Sequence, residues 1–158
     1  MLNEDYKDML RALVGENARF LLVGAYAMAT HGYPRATMDI DIWVMPSAEN
    51  AQAVLRALRQ FGAPVHQLSA ADLQQTDTIF QIGVAPRRID IITGVDGLEF
   101  EATFGRSVQV DVEGIALRVP NMADLIRNKR ASARLKDLAD VEALESLVAS
   151  RQREQDDG

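Results

Sequence analysis

Asp39-Ile40-Asp41-Ile42 alternates an acid with a β-branched apolar residue. In an extended strand, residues two apart share a face, so both carboxylates project together while Ile40 and Ile42 face a core. Adjacent carboxylates repel each other and Asp is disfavoured in strands, so the pair calls for a neutralising cation. Oxygen donors without His or Cys suit Mg²⁺ or Mn²⁺ rather than zinc. The alternative is a solvent-facing edge strand that carries two acids and no ligand. Asp90, inside Arg88-Ile89-Asp90-Ile91-Ile92, offers a third carboxylate on a second strand. If the two strands are neighbours, three acids can hold two cations about 3.5–4 Å apart, as phosphoryl transfer requires.

Groups suited to phosphate lie on either side of the acids. Leu22-Val23-Gly24-Ala25 reads as a strand ending in glycine and opening a helix, whose backbone N–H groups can cradle a triphosphate. Lys129, in a basic helix, can complete the clamp. Arg35 is close enough in sequence to reach phosphate or is a surface charge, and Thr37 is a strand-entry residue or a ligand. Arg87 and Arg88 can hold Asp90 by ion pairing. Trp43 falls on the acid face by parity, where it stacks a base or packs in a core. His31 reads as a helix-end residue and His66 as a loop residue. Met28 and Met38 read as packing.

Elements that position these groups follow from periodicity and capping. Asn3 caps a helix over 4–14 with Tyr6, Met9, Leu10, Leu13 and Val14 at helical spacing, stopped by Gly15. Strands are expected at 20–23, 39–44, 78–83 and 88–92, with a short helix over 25–30 between the first two. Ser47 caps a helix closed by Gly62 and Pro64, and a shorter helix is expected within 68–75. Valines 108, 110 and 112 and then Ile115, Leu117 and Val119 flank Glu113-Gly114 as a hairpin. Asn121 caps a helix to about Ala133, and a second carries Leu138, Val141, Leu144, Leu147 and Val148. The expectation is an α+β domain over residues 1–150, a mixed β-sheet with flanking helices and a C-terminal helical pair. A polar, frayed tail is expected over 151–158.

The 158 residues fit one domain, and the absence of cysteine excludes disulfides and thiolate–zinc sites and fits a reducing cytoplasm. No apolar stretch approaches the roughly 20 residues of a membrane span, and no signal peptide is visible. A net charge of −6 argues against a dedicated DNA-binding module. Between Arg118 and Lys136, however, six basic side chains face one acid, Asp124. Such a patch suits a phosphate-bearing ligand or is a solvated helix face.

Together these residues resemble the DNA polymerase beta-like nucleotidyltransferase superfamily. Its signature is a hydrophobic residue, Gly-Gly or Gly-Ser, a short spacer, Asp-hydrophobic-Asp and a later third acid. Here Val23-Gly24-Ala25 is followed by thirteen residues and then Asp39-Ile40-Asp41. The run from Leu22 to Trp43 resembles the small prokaryotic branch. The closing Leu125-Ile126, Lys129 and Arg134 to Asp140 resemble the C-terminal element of AbiEii-type toxins and related nucleotidyltransferases.

The resemblance spans Phe20 to Leu144 and implies transfer of a nucleoside monophosphate from an NTP to a hydroxyl, with release of pyrophosphate. It implies that Asp39 and Asp41 bind both metals and that Asp90 binds one and helps activate the acceptor. Gly24 and Ala25 would let the backbone approach the phosphates, Lys129 would touch a phosphate, and Asp137 and Asp140 would shape the acceptor side. Those last two acids can equally pair with Arg134 and Lys136. Ala25 departs from the Gly-Gly/Gly-Ser pair, lacking the serine hydroxyl but keeping the N–H. The acceptor is open among a small molecule, a tRNA end and a protein side chain, with a homodimer or separate partner as a source of its surface. Two other readings stand beside this one. One is a metal-dependent glycosyltransferase, for which the 38 residues before Asp39 are few; the other is a nucleotide-binding or toxin–antitoxin partner protein without turnover.

Overall fold

The structure, a computed structural model, describes residues 2–33 and 39–157. Helix α1 (Glu4–Gly15) starts where the Asn3 side chain accepts from the Tyr6 N–H, as expected, and buries Tyr6, Met9, Leu10 and Leu13. Val14 is the exception to that stripe, at 44% exposure. Strand β1 (Phe20–Val23) runs directly into α2 (Gly24–Thr30), and β2 (Ile40–Val44) carries the acids. Helix α3 (Ala48–Phe61) begins at its Ser47 cap and ends at Gly62, whose φ of +93° suits glycine.

The stretch expected as a short helix within 68–75 is a single 3-10 turn, Asp72–Gln74, held by reciprocal Ser69 and Asp72 bonds. Strands β3 (Ile79–Ile82) and β4 (Ile89–Ile92) follow. Helix α4 (Phe100–Gly105) is an element the periodicity does not announce. The β5 (Val108–Val112) and β6 (Ile115–Val119) hairpin turns at Glu113 and Gly114, both with positive φ. Asn121 caps α5 (Met122–Ser132), and α6 (Leu135–Asp157) closes the chain.

The four-stranded sheet has the order β1-β2-β4-β3, with β2 and β4 parallel and the outer pairs antiparallel. One face is apolar. Leu22, Ile40, Ile42, Val44, Ile89 and Ile91 pack there with the buried stripes of α1 and α3. Fully burying side chains of this size gains about 1.5–3 kcal/mol each, so this face anchors the strands. The opposite face is divided. Leu21, Val23 and Trp43 form a smaller cluster under Phe100 of α4, whereas the other end of the same face carries acids.

Residues 151–157, expected as a polar tail, are the last turns of α6. No glycine or proline interrupts Arg151-Gln152-Arg153-Glu154-Gln155-Asp156-Asp157, and the Arg151 guanidinium donates to the His31 carbonyl. Among the described residues, no helix is long and apolar enough to cross a membrane.

Candidate functional site

Parity and register gather the acids. Asp41 pairs in register with Val23 of β1 on one side and Asp90 of β4 on the other. Because β2 and β4 are parallel neighbours, the Asp41 and Asp90 side chains rise from the same face, one strand spacing apart. Asp39 precedes β2 by one residue and shares their side of the chain. Ile40 and Ile42, pointing the other way, are fully buried, so the alternation seen in the sequence is the alternation of a two-faced strand.

Gly24 is shaped by this arrangement. Its φ is +68°, and a Cβ there would collide with the Asp41 carboxylate. The glycine therefore brings backbone against one of the candidate site acids, where the sequence suggested only close approach to phosphate.

Electrostatics mark Asp41 as the strained member. Burial, then the charge of Asp90 and a hydrogen bond with its carboxyl, push the Asp41 pKa from 3.8 to about 6; Arg88 acts in the opposite direction. Arg88 forks onto Asp90, Nε to Oδ1 at 2.7 Å and Nη2 to Oδ2 at 3.2 Å. Its Nη2 also lies 3.6 Å from Asp39 Oδ2, and its backbone N–H donates to Asp39 Oδ1 at 3.0 Å. The field of Asp39 extends to α2, where burial first and then this acid raise the Tyr26 pKa. Among the described residues, no three acids or histidines are yet gathered as a ligand cage. Three hard carboxylates on or next to adjoining strands, their charge only partly offset by one guanidinium, are nonetheless a donor set suited to Mg²⁺ or Mn²⁺.

A cleft of about 570 Å³ opens over these acids. Gly24 and Ala25 form one wall and the β3 residues Ile79 and Gln81 another. Asn128, Lys129, Arg134 and Lys136 approach from the helical pair. Helix α5 is fixed in place from below, since Asn128 donates to the Asp96 carbonyl at 2.9 Å and Gly97 packs against Ala131 and Arg127.

The basic segment is largely neutralised from within. Lys129 Nζ lies 3.4 Å from Asp137 and 3.3 Å from Asp140, both buried, and Arg134 bonds Asp137 at 2.7 Å. Burial alone would raise the Asp137 carboxyl, but the Arg134 bond and the Lys129 charge outweigh it and hold the pKa below the usual value. Arg127 and Arg106 flank buried Asp124, and Arg130 pairs with Glu145. Of the acids expected on the acceptor side, Asp137 lines the cleft but is engaged, and Asp140 sits behind it on Lys129.

Other sequence candidates are placed as follows. Arg35, Thr37 and Met38 lie outside the described residues. Trp43 is buried with its ring edge-on to Phe100, centroids 5.1 Å apart, so it packs and does not present a face to a base. His31 is the C-cap of α2 and reaches the Pro120 carbonyl at 2.8 Å; His66 is exposed. Arg87 is exposed, so only Arg88 of the pair holds Asp90. Gln81 and Asn128 were not singled out from the sequence, and Lys136 only as part of the basic segment; Gln81 reaches the site only through its register opposite Asp90, which no local pattern encodes.

No protein-family model and no curated protein sequence matches the chain. Solved structures do. A crystal structure of a candidate nucleotidyltransferase from Thermotoga maritima aligns over 95% of this chain and 96% of its own, at 17% identity and a TM-score of 0.58. The solution structure of the antibiotic-resistance factor ANT(2'')-Ia aligns over 96% of this chain and 91% of its own, at 16% identity and a TM-score of 0.54. At such identities the likeness is one of architecture. The chain therefore has the nucleotidyltransferase fold: a mixed sheet with flanking helices, and in this chain a cleft floored by Asp39, Asp41 and Asp90.

Proposed function

We propose that this chain is a divalent-cation-dependent nucleotidyltransferase of the small prokaryotic branch, moving a nucleoside monophosphate from an NTP to a hydroxyl acceptor. The observation that carries the reading is the direct register of Asp41 with Asp90 across parallel strands, with the Gly24 backbone pressed against Asp41. Asp39, Asp41 and Asp90 would hold Mg²⁺ or Mn²⁺, which when bound neutralises charge on the transferred phosphoryl group and the leaving pyrophosphate. The Gly24–Ala25 backbone borders the polyphosphate path, and Ala25 keeps the N–H that phosphate needs. Lys136 and Arg134 face the same cleft and offer positive charge, while Lys129 acts mainly by holding α5 to α6 through Asp137 and Asp140.

In the transfer the acceptor oxygen forms a bond to the α-phosphorus. The bond from that phosphorus to the bridging oxygen of pyrophosphate breaks, and the hydroxyl proton leaves toward Asp90. The acceptor, a small molecule, a tRNA end or a protein side chain, enters from the open side of the cleft. Titration calorimetry with non-hydrolysable NTP analogues, with and without Mg²⁺, tests the reading. Metal-dependent binding that Asp39→Ala abolishes supports it, and a folded protein that binds no nucleotide at millimolar concentration overturns it.

A further inference from the structure

Arg88 lines the cleft without a role in the transfer step, yet it touches two of the three acids. Arg88 immediately precedes β4, and the alternation of an extended chain puts it on the same face as Asp90, two residues on. Its planar fork matches that carboxylate at both oxygens, 2.7 and 3.2 Å, and its Nη2 extends to Asp39 at 3.6 Å. A bidentate guanidinium–carboxylate pair is among the stronger hydrogen-bonded arrangements; it engages one lone pair on each Asp90 oxygen and sets a positive charge against the carboxylate that a cation would seek. The side chain remains 31% exposed, so the guanidinium has an open route out of the acid cluster into the cleft it lines.

Building on the transferase reading, we propose that Arg88 is a positioning residue that competes with the divalent cation. In the metal-free chain its guanidinium spans Asp90 and Asp39 and offsets part of their charge. Cation binding requires it to release both carboxylates, so the binding-competent form is only a fraction of the metal-free population. A fraction of one tenth weakens apparent cation affinity tenfold. Arg88 thereby limits occupancy by a cation alone, and a nucleotide that offers the freed guanidinium its phosphates favours release.

Mn²⁺ binding followed by electron paramagnetic resonance tests this on the full chain, comparing wild type with Arg88→Met, Arg88→Lys, Arg134→Met and, as a site control, Asp41→Asn. The expected result is about tenfold tighter Mn²⁺ binding for Arg88→Met. Arg88→Lys should fall between, because a lysine keeps the charge but cannot fork. In chelator, Arg88→Met should melt below wild type, and saturating Mn²⁺ should close the gap. Arg134→Met removes the same charge from the far wall and should tighten binding much less. Equal tightening in the two would reduce the effect to net charge and overturn competition. Unchanged or weaker binding in a folded Arg88→Met also overturns it while leaving the transferase reading intact. Should Arg88→Met not fold, Arg88→Lys decides, and wild-type affinity there overturns the proposal. Binding that survives in Asp41→Asn, or is absent from wild type and Arg88→Met alike, overturns the transferase reading with it.

Discussion

Asp41→Asn should make the metal-free protein more stable at pH 8. The wild-type carboxyl rises from 3.8 to about 6 because it is buried and faces Asp90. At 1.36 kcal/mol per pH unit, ionising it in the folded state costs at most about 3 kcal/mol. Asp41 is only partly buried, so solvent screening brings the working figure to about 1.5 kcal/mol. The sign follows from proton linkage: between pH 4 and 6 the folded chain keeps a proton that the unfolded chain has lost. Wild-type stability therefore falls as pH rises through this window and levels off above it. An asparagine has nothing to ionise, and its amide can still donate to Asp90.

The variant should match wild type near pH 4, gain through pH 6, and at pH 8 melt about 3–6 °C higher in a chain of this length. Thermal unfolding by circular dichroism in chelator reads this directly. With Mg²⁺ the order reverses, since a ligand at a hundredfold excess over Kd adds about 2.7 kcal/mol to the wild type and nothing to a chain that has lost its ligand. A variant that melts below wild type at pH 8 in chelator would refute the view of Asp41 as a site acid held against its own folding preference.

Three further outcomes are expected. Gly24→Ala forces a Cβ onto the Asp41 carboxylate at a φ of +68°, so the fold should survive at a cost of about 1–2 kcal/mol; nucleotide transfer should fall by roughly 100-fold, measured as pyrophosphate release. Lys129→Met withdraws the cation shared by buried Asp137 and Asp140, and denaturant unfolding should show a loss of roughly 3–5 kcal/mol. Asn50→Ala removes the side chain that accepts from Arg19 N–H and donates to the Arg19 and Met45 carbonyls at the end of β1 and β2 remote from the acids; it should cost about 1–3 kcal/mol in the same assay while Mn²⁺ affinity stays at the wild-type value.

What was legible in the sequence was local. Caps at Asn3, Ser47 and Asn121 each act within three residues, and the alternation of Asp39 to Ile42 belongs to one strand, so both survive without knowledge of the fold. Helix α4 left no comparable trace: it is six residues long and buries only Phe100 and Thr103, too few for a period to show. Its place is set from a distance, by Trp43 beneath Phe100 and by Arg106 forking onto buried Asp124 at 3.0 and 3.1 Å. Charge counting is incomplete for the same reason. Six basic residues in one stretch suggest a patch, but the acids that answer Lys129 and Arg130 lie on α6 and include Asp140 and Glu145, visible only once the two helices pack.

The site also shows why its most informative pairing was the least readable. Nothing in Arg88-Ile89-Asp90 states that β4 lies beside β2, because the chain between them contains α3 and β3. That adjacency is decided on the other face of the sheet, where Ile40 and Ile42 of β2 and Ile89 and Ile91 of β4 are buried together. In a parallel pair the side-chain period is two, so a slip of one residue would turn Asp90 into the core and Ile91 into the cleft. The apolar register therefore fixes the acidic one: the whole cost of ionising Asp41, about 1.5 kcal/mol by the reasoning above and due first to burial and then to the charge of Asp90, is small beside four buried isoleucines at about 1.5–3 kcal/mol each. The core of this sheet holds the carboxylates together, and Arg88, or a cation on the proposed function, then answers part of their charge.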